Sequence, residues 1–278
     1  MFNYLPFFGL SIAFQDYQLG KPILSFGDSV TWVGLKHFRD FINSIFFKRV
    51  FTNTIRLSVT NLLWGFWVPI VFAILLNEIR TKWYKKTVQT LVYLPYFIST
   101  VIVVALLVTL TSPGGVINKV NIALAGKPIN YMQDPKYFDF LYVASGIWKS
   151  FGYSSIIYLA AISAIDPTLY EAVTIDGGNR YHRMRHVTLP GILPTVVILL
   201  ILSIGGILGA NTEKILLMYN TATMDRADVI GTYVYRIGLI NMKYSYTTAV
   251  GLFSNIINFC LVIGANLISR KVTDHSLW

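Results

Sequence analysis

The sequence predicts an all-α, polytopic helical membrane protein, and three observations carry that prediction. Hydrophobic residues make up 54% of the 278 and charged residues 13%, roughly half the charged share of a soluble domain. Mean hydropathy is +0.57. Five apolar runs, at about 54–79, 88–111, 140–163, 191–212 and 246–268, reach the roughly 20 residues that a helix needs to cross a bilayer. A soluble protein hides one or two such runs in its core, not five. No repeat, low-complexity tract or long linker divides the chain, so one transmembrane domain over 1–278 is the expected organisation.

Taken in order, residues 1–13 are apolar but too short to cross, and they lack the basic flank of a signal sequence. The expectation is that a first span lies upstream of Met1 and that residues 1–14 are its outer end. Residues 14–51 then form an external segment with Trp32, Phe38 and Phe41 as aromatic anchors. The five runs follow. Asn61, Lys149, Ser154, Asn211, Asn255 and Asn258 lie inside or at the ends of those runs, which indicates spans that face a bundle interior and not only lipid. Lys149, several residues into a run, is costly unless it snorkels or faces a polar cavity. Gly205 and Gly209 form a small-xxx-small pair that permits close helix approach.

Loop charge orients the chain by density. Residues 80–86 pack four cations into seven positions, whereas 112–139 holds only Lys119, Lys127 and Lys136. Dense cations next to span ends mark the cytoplasmic side. That places 80–87, 164–190 and the C-terminal 270–278 on the cytoplasmic side.

The segment between the third and fourth runs is polar and punctuated. Asp166 and Pro167 are start signals: the carboxylate accepts from free backbone N–H groups, and proline fits the first helical position. Leu169, Ala172 and Val173 fall at helical spacing. Gly177 and Gly178 end the helix in a left-handed turn that disfavours a Cβ. Arg180, Arg183 and Arg185 form a basic return, and Pro190 and Pro194 mark the start of the next run. A short helix, a sharp turn and a basic return make a docking element.

Glu171-Ala172-Val173, Asp176-Gly177-Gly178, Val187, Leu189-Pro190 and Pro194 resemble the cytoplasmic EAA loop of type I ABC importer permeases. The segment departs from the family pattern at Val173, Gly178 and Met184, without a change of charge. Asn53-Thr54, Pro95, the Gly114–Asn118 turn and the stretch after Ala227 are also in family style. The position of Asp176 resembles the carbohydrate branch, and the external loops resemble those of oligosaccharide permeases. The resemblance implies a permease subunit for carbohydrate import that works by alternating access in a bacterial plasma (inner) membrane. It implies a second homologous permease, forming a heterodimer, two ATPase subunits that use ATP and Mg, and an extracellular or periplasmic sugar-binding protein. Glu171, Ala172, Val173, Asp176, Gly177 and Pro190 would couple to the ATPase. Tyr153 and Asn211 match positions that line the sugar site of maltose-type permeases, and Trp148, Asn255 and Asn258 supply similar side chains.

Other chemistries find little footing. The chain has no G-x-x-x-x-G-K-[ST] loop, so it does not hold ATP by that route. His182 and His186 are four apart but lack a third ligand, and Arg183 and Arg185 oppose a cation. Cys260, the sole cysteine, permits neither a disulfide within the chain nor thiolate-held zinc. No metal and no cofactor is expected on this chain. The net charge of +10 points to anionic lipid headgroups rather than nucleic acid in so hydrophobic a protein. A stand-alone secondary transporter or channel is the alternative. It would show inverted repeats and an intramembrane carboxylate, yet the runs contain only Glu78, at an end.

Overall fold

A computed structural model describes residues 8–18, 20, 23, 30–273, 276 and 277. It contains α1 (Lys36–Ile42), α2 (Phe47–Gly65), α3 (Trp67–Asn77), α4 (Lys82–Tyr93), α5 (Thr100–Thr111), α6 (Val116–Ala125), α7 (Pro135–Ser163) and α8 (Pro167–Ile175). These are followed by α9 (Arg180–Gly205), which includes a π-helical stretch at Met184–Thr188, then α10 (Thr212–Met218) and α11 (Tyr244–Thr273). Among the described residues there is no strand, only an isolated bridge between Gln15 and Trp32. Phe47–Asn77, Thr100–Leu124, Arg180–Gly205 and Tyr244–Lys271 are long and apolar enough to cross a membrane. α7 is a fifth crossing when taken with α8, which bends 69° away from it.

The structure revises several of the expected runs. The run at 88–111 is not one helix. Pro95 lacks the N–H that would continue α4, and a 3₁₀ turn at Leu94–Phe97 takes over. Ser99 is extended, and its hydroxyl accepts from the Ile102 N–H to start α5 afresh. The run at 191–212 begins earlier, because Asn179 opens a helix that runs unbroken into it, and the helix stops at Gly205. α7 starts at Pro135, where the Asp134 carboxylate accepts from Lys136 N–H and proline occupies the first turn. Phe41 is not an interface anchor. It is fully buried, with the Phe47, Tyr233 and Phe253 rings around it. Half of the expected outer end of an upstream span, residues 1–7, lies outside the described residues; in the other half Gly9–Phe14 is a 3₁₀ helix.

Three apolar clusters hold the bundle. Ile74, Ile162 and Ile192 share one, so the ends of α3 and α7 and the start of α9 converge at one end of the molecule. Val50, Ile230 and Val250 share another at the opposite end, where α2 and α11 begin. The third joins Leu57, Leu141 and Met218. Small residues set the closest approaches. At Gly152 of α7 a Cβ would overlap the Val92 carbonyl of α4, and at Gly205 one would overlap the Val262 side chain of α11. Gly205 thus packs as its pattern predicts, whereas Gly209 lies in the turn after α9. In the first turn of α6, Asn118 is fully buried. Its amide donates to the Thr111, Ser112 and Ile129 carbonyls at 3.0, 2.9 and 2.9 Å, and its Oδ1 accepts from Ile129 N–H at 2.8 Å.

Gly152→Ala is expected to destabilise the fold by about 1–3 kcal/mol, the cost of overpacking a close contact. Gly251→Ala on α11, where a Cβ meets nothing within 4 Å, is expected to be neutral or slightly stabilising. Unfolding midpoints of the two purified variants in the same detergent check both.

Candidate functional site: a docking helix and a polar cavity

Two features stand out, one at the end of the bundle and one inside it. The first is α8. Asp166 caps it by accepting from Thr168 N–H at 2.9 Å, and Pro167 holds the first turn. That bond from the Thr168 backbone, with help from the Thr168 hydroxyl, holds the Asp166 carboxyl below the usual carboxylate range. The helix ends in a Schellman motif. Gly177 takes φ +77°, its N–H donates to Thr174 at 3.1 Å, and Gly178 N–H donates to the Val173 carbonyl at 2.8 Å. Asn179 then starts α9 with a capping box, exchanging bonds with His182 at 3.1 and 3.3 Å. The basic return is therefore the first turn of a helix. His182 is a cap residue, and the described residues hold no group of three or more potential metal ligands.

α8 buries none of its residues. Leu169 and Ile175 point outward at 51% and 85% exposure. Glu171, Ala172, Asp176, Gly177 and Pro190 are exposed and Val173 is half-buried. Among the described residues no ion pair engages Glu171. One polar contact back to the bundle is the Tyr170 hydroxyl, 3.1 Å from the Thr188 hydroxyl in the π-helical stretch.

The two departures from the family pattern at Val173 and Gly178 meet in space. A Cβ on Gly178 would lie 2.5 Å from Val173 Cγ1 and 2.6 Å from its carbonyl oxygen. The larger residue at 173 is matched by the absence of one at 178. Sequence alone treats these as separate small changes.

The second feature is a cavity of about 840 Å³ between α2, α5, α7 and the turn after α9. Tyr153 and Asn211 line it. Trp148, Asn255 and Asn258 are outside its lining. Trp148 and Asn255 are exposed elsewhere on their helices, and Asn258 is a strut whose Oδ1 accepts from Leu208 N–H at 3.0 Å. Asn211 has a structural task too: its side chain caps α10 by accepting from Lys214 N–H at 3.0 Å.

The structure adds residues that sequence reasoning did not assign to the site. Tyr96 stacks on Tyr153 with ring centroids 3.9 Å apart and planes 6° from parallel. Lys149 and Lys214 line the cavity, with Asn61 and Thr100. Lys149 carried a signal, being a cation inside an apolar run. Tyr96 and Lys214 had none, since both lie beyond breaks that the apolar pattern does not reveal.

Two outcomes are expected at α8. Gly178→Ala should disturb the turn, and pairing it with Val173→Ala should restore part of the loss by removing the Cγ1 overlap while the carbonyl overlap remains. A double-mutant cycle on complex stability checks this. A depressed carboxyl pKa contributes stability above the unfolded value and loses it as pH falls through the folded one. Titration of Asp166 should therefore leave α8 unchanged between about pH 5 and 8. Asp166→Ser should preserve the helix, and Asp166→Ala should fray it in hydrogen exchange.

Comparison with known proteins agrees with this arrangement. Residues 65–274 match the family model described as binding-protein-dependent transport system inner membrane component. The chain is 42% identical over 279 aligned positions to Protein LplB of Bacillus subtilis (strain 168), covering 100% of this chain and 86% of that protein. It is 44% identical, with the same coverage, to the polygalacturonan/rhamnogalacturonan transport system permease protein YteP of the same organism. It superimposes with a TM-score of 0.89 at 40% identity on a chain of a bacterial alginate ABC transporter crystallised with an alginate pentasaccharide-bound periplasmic protein, covering 100% of this chain and 91% of that one. On this family match over most of its length, the chain belongs to the family of binding-protein-dependent transport system inner membrane components, as a multi-pass permease subunit of an ABC importer.

Proposed function

We propose that this permease imports oligosaccharides, and that α8 is the surface through which separate ATPase subunits drive it. The observation that carries this reading is α8 itself. It is a capped, rigidly terminated helix that leaves the bundle at 69° and buries nothing in its own chain. An apolar, exposed face beside an unpaired carboxylate suits a cleft that supplies a basic residue to Glu171. ATP and Mg act on the partner subunits. Their closure would carry α8, and the π-helical stretch it touches through Tyr170, toward the helix of a second, homologous permease. The α8 end of the bundle, with residues 80–87 and the C-terminus, then faces the cytoplasm. Loops 112–139 and 213–245 face a sugar-binding protein.

The carbohydrate cargo is supported by relatives named for galacturonan and alginate transport. It is also supported by the chemistry of the cavity, where tyrosine rings and hydroxyl, amide and ammonium donors lie together. Sugar recognition needs hydrogen bonds beside an aromatic surface.

In the reconstituted complex with its binding protein, oligosaccharide-stimulated ATP hydrolysis is expected to fall about tenfold in Glu171→Ala, in line with loss of a charge-assisted contact. Gly177→Asp, which strains the left-handed turn, is expected to fall further. Both should be read with assembly verified by size-exclusion chromatography. Full stimulation in both variants would refute α8 as the coupling element.

A further inference from the structure

Two lysines and no carboxylate line the cavity. Tyr142, Gly146, Lys149, Tyr153 and Ile157 all line it. They recur at steps of three and four and so form one stripe of α7. Lys214 comes to the same cavity from α10. No Asp or Glu lies in the lining, and among the described residues neither lysine forms an ion pair.

The partners these lysines do have are neutral. Lys149 Nζ donates to the Thr100 hydroxyl at 3.0 Å. Lys214, only 6% exposed, donates from Nζ to the Tyr142 carbonyl at 2.6 Å and sits 4.8 Å from the centroid of the Tyr142 ring. A carbonyl and a ring face orient an ammonium, but they do not neutralise it. An ammonium carries three donors, and one hydrogen bond leaves capacity for a ligand. Gly146 keeps the approach open, because a Cβ there would lie 3.1 Å from Lys214 Nζ. A purely structural role, tying α10 to α7, accounts for the bond from Lys214 to Tyr142. It does not account for a second uncompensated lysine on the same wall.

We infer that Lys149 and Lys214 form an anion-reading site in the pathway, and that the cargo is a negatively charged sugar. Its charge would be a uronate carboxylate or a phosphate ester. The inference rests on the oligosaccharide reading above and narrows it. Two lysines in a half-enclosed, low-dielectric cavity raise the local concentration of an anionic sugar and disfavour a neutral one. An ammonium acts as a point charge that accepts either oxyanion geometry.

The test uses the complete importer in nanodiscs without its binding protein, so that selection by that protein does not enter. Three probes are titrated by calorimetry: trigalacturonate, its carboxyl-reduced neutral counterpart, and galactose 6-phosphate. At least one charged probe is expected to bind about tenfold or more tightly than the neutral one, with affinity that falls as salt rises. The stronger of the two names the source of the charge. Lys149→Gln should weaken the charged probe about tenfold, and by much more than it weakens the neutral probe, while Lys149→Arg should restore binding. Lys214→Gln should act in the same direction; if that buried substitution prevents assembly, the Lys149 pair still decides. Equal binding of charged and neutral probes, unaltered charged-probe binding in Lys149→Gln, or no binding of any probe would overturn the inference. Uptake of neutral oligosaccharides by the intact importer, unaffected by Lys149→Gln, would overturn it while leaving oligosaccharide import intact. An importer that takes up no saccharide would instead fail the broader reading.

Discussion

The close approach of α4 to α7 at Gly152 is the contact on which the interior depends. With no side chain at 152, the Val92 carbonyl meets the α7 backbone directly. That contact fixes the break at Leu94–Phe97 against the same helix, which lets Tyr96 lie flat on Tyr153 one residue beyond the glycine. In the bilayer interior no water satisfies a broken helix, so such a break is tolerated where protein or a wet cavity surrounds it. Here the break faces the cavity. The same geometry presents Thr100 to Lys149, and a wall of the cavity depends on a single missing Cβ.

A second constraint operates at the α8 end. α8 is terminated firmly at both ends yet buries none of its residues, and the chain achieves this with local devices. Asp166 and the Schellman turn end the helix at both sides without help from the bundle. The Tyr170–Thr188 contact connects it to the π-helical stretch of α9. Such bulges occur often at functional sites and soften the helix register. The exposed surface of α8 and the first turns of a crossing helix are therefore joined by the Tyr170–Thr188 hydroxyl pair and the Gly177 turn.

The opposite end is held by charge. Asp228 is fully buried, yet it is paired with Arg49 at 2.8 Å and Arg236 at 2.9 Å and accepts from the Thr232 hydroxyl at 2.9 Å. Asn53 and Arg56 of α2 donate to the carbonyls of Asp228 and Arg226 at 3.0 and 2.6 Å. A buried carboxylate is tolerated when its lone pairs are so engaged. This fastens the segment after α10 to α2. The Asn53-Thr54 pair noted in the sequence owes its value to that fastening, since the Thr54 hydroxyl also accepts from Ile230 N–H at 2.9 Å.

What the sequence determined by itself is what depends on local backbone chemistry and on transfer from water to lipid. Apolar length indicated a polytopic bundle, though not the bounds of every crossing, and Asp166, Pro167 and Gly177 set the bounds of α8, because caps and left-handed turns act within a few residues. The EAA-style spacing pointed to the family for the same reason: its residues are neighbours along the chain. What only the tertiary structure decided is which polar side chains share a space. Trp148, Tyr153, Asn255 and Asn258 look equivalent as polar or aromatic residues in apolar runs, yet helix rotation and packing put only Tyr153 on the cavity. Lys214 lies 65 positions after Lys149 and outside every apolar run, so no periodicity connects them. Only the folding of α10 back onto α7 brings the two charges to one cavity.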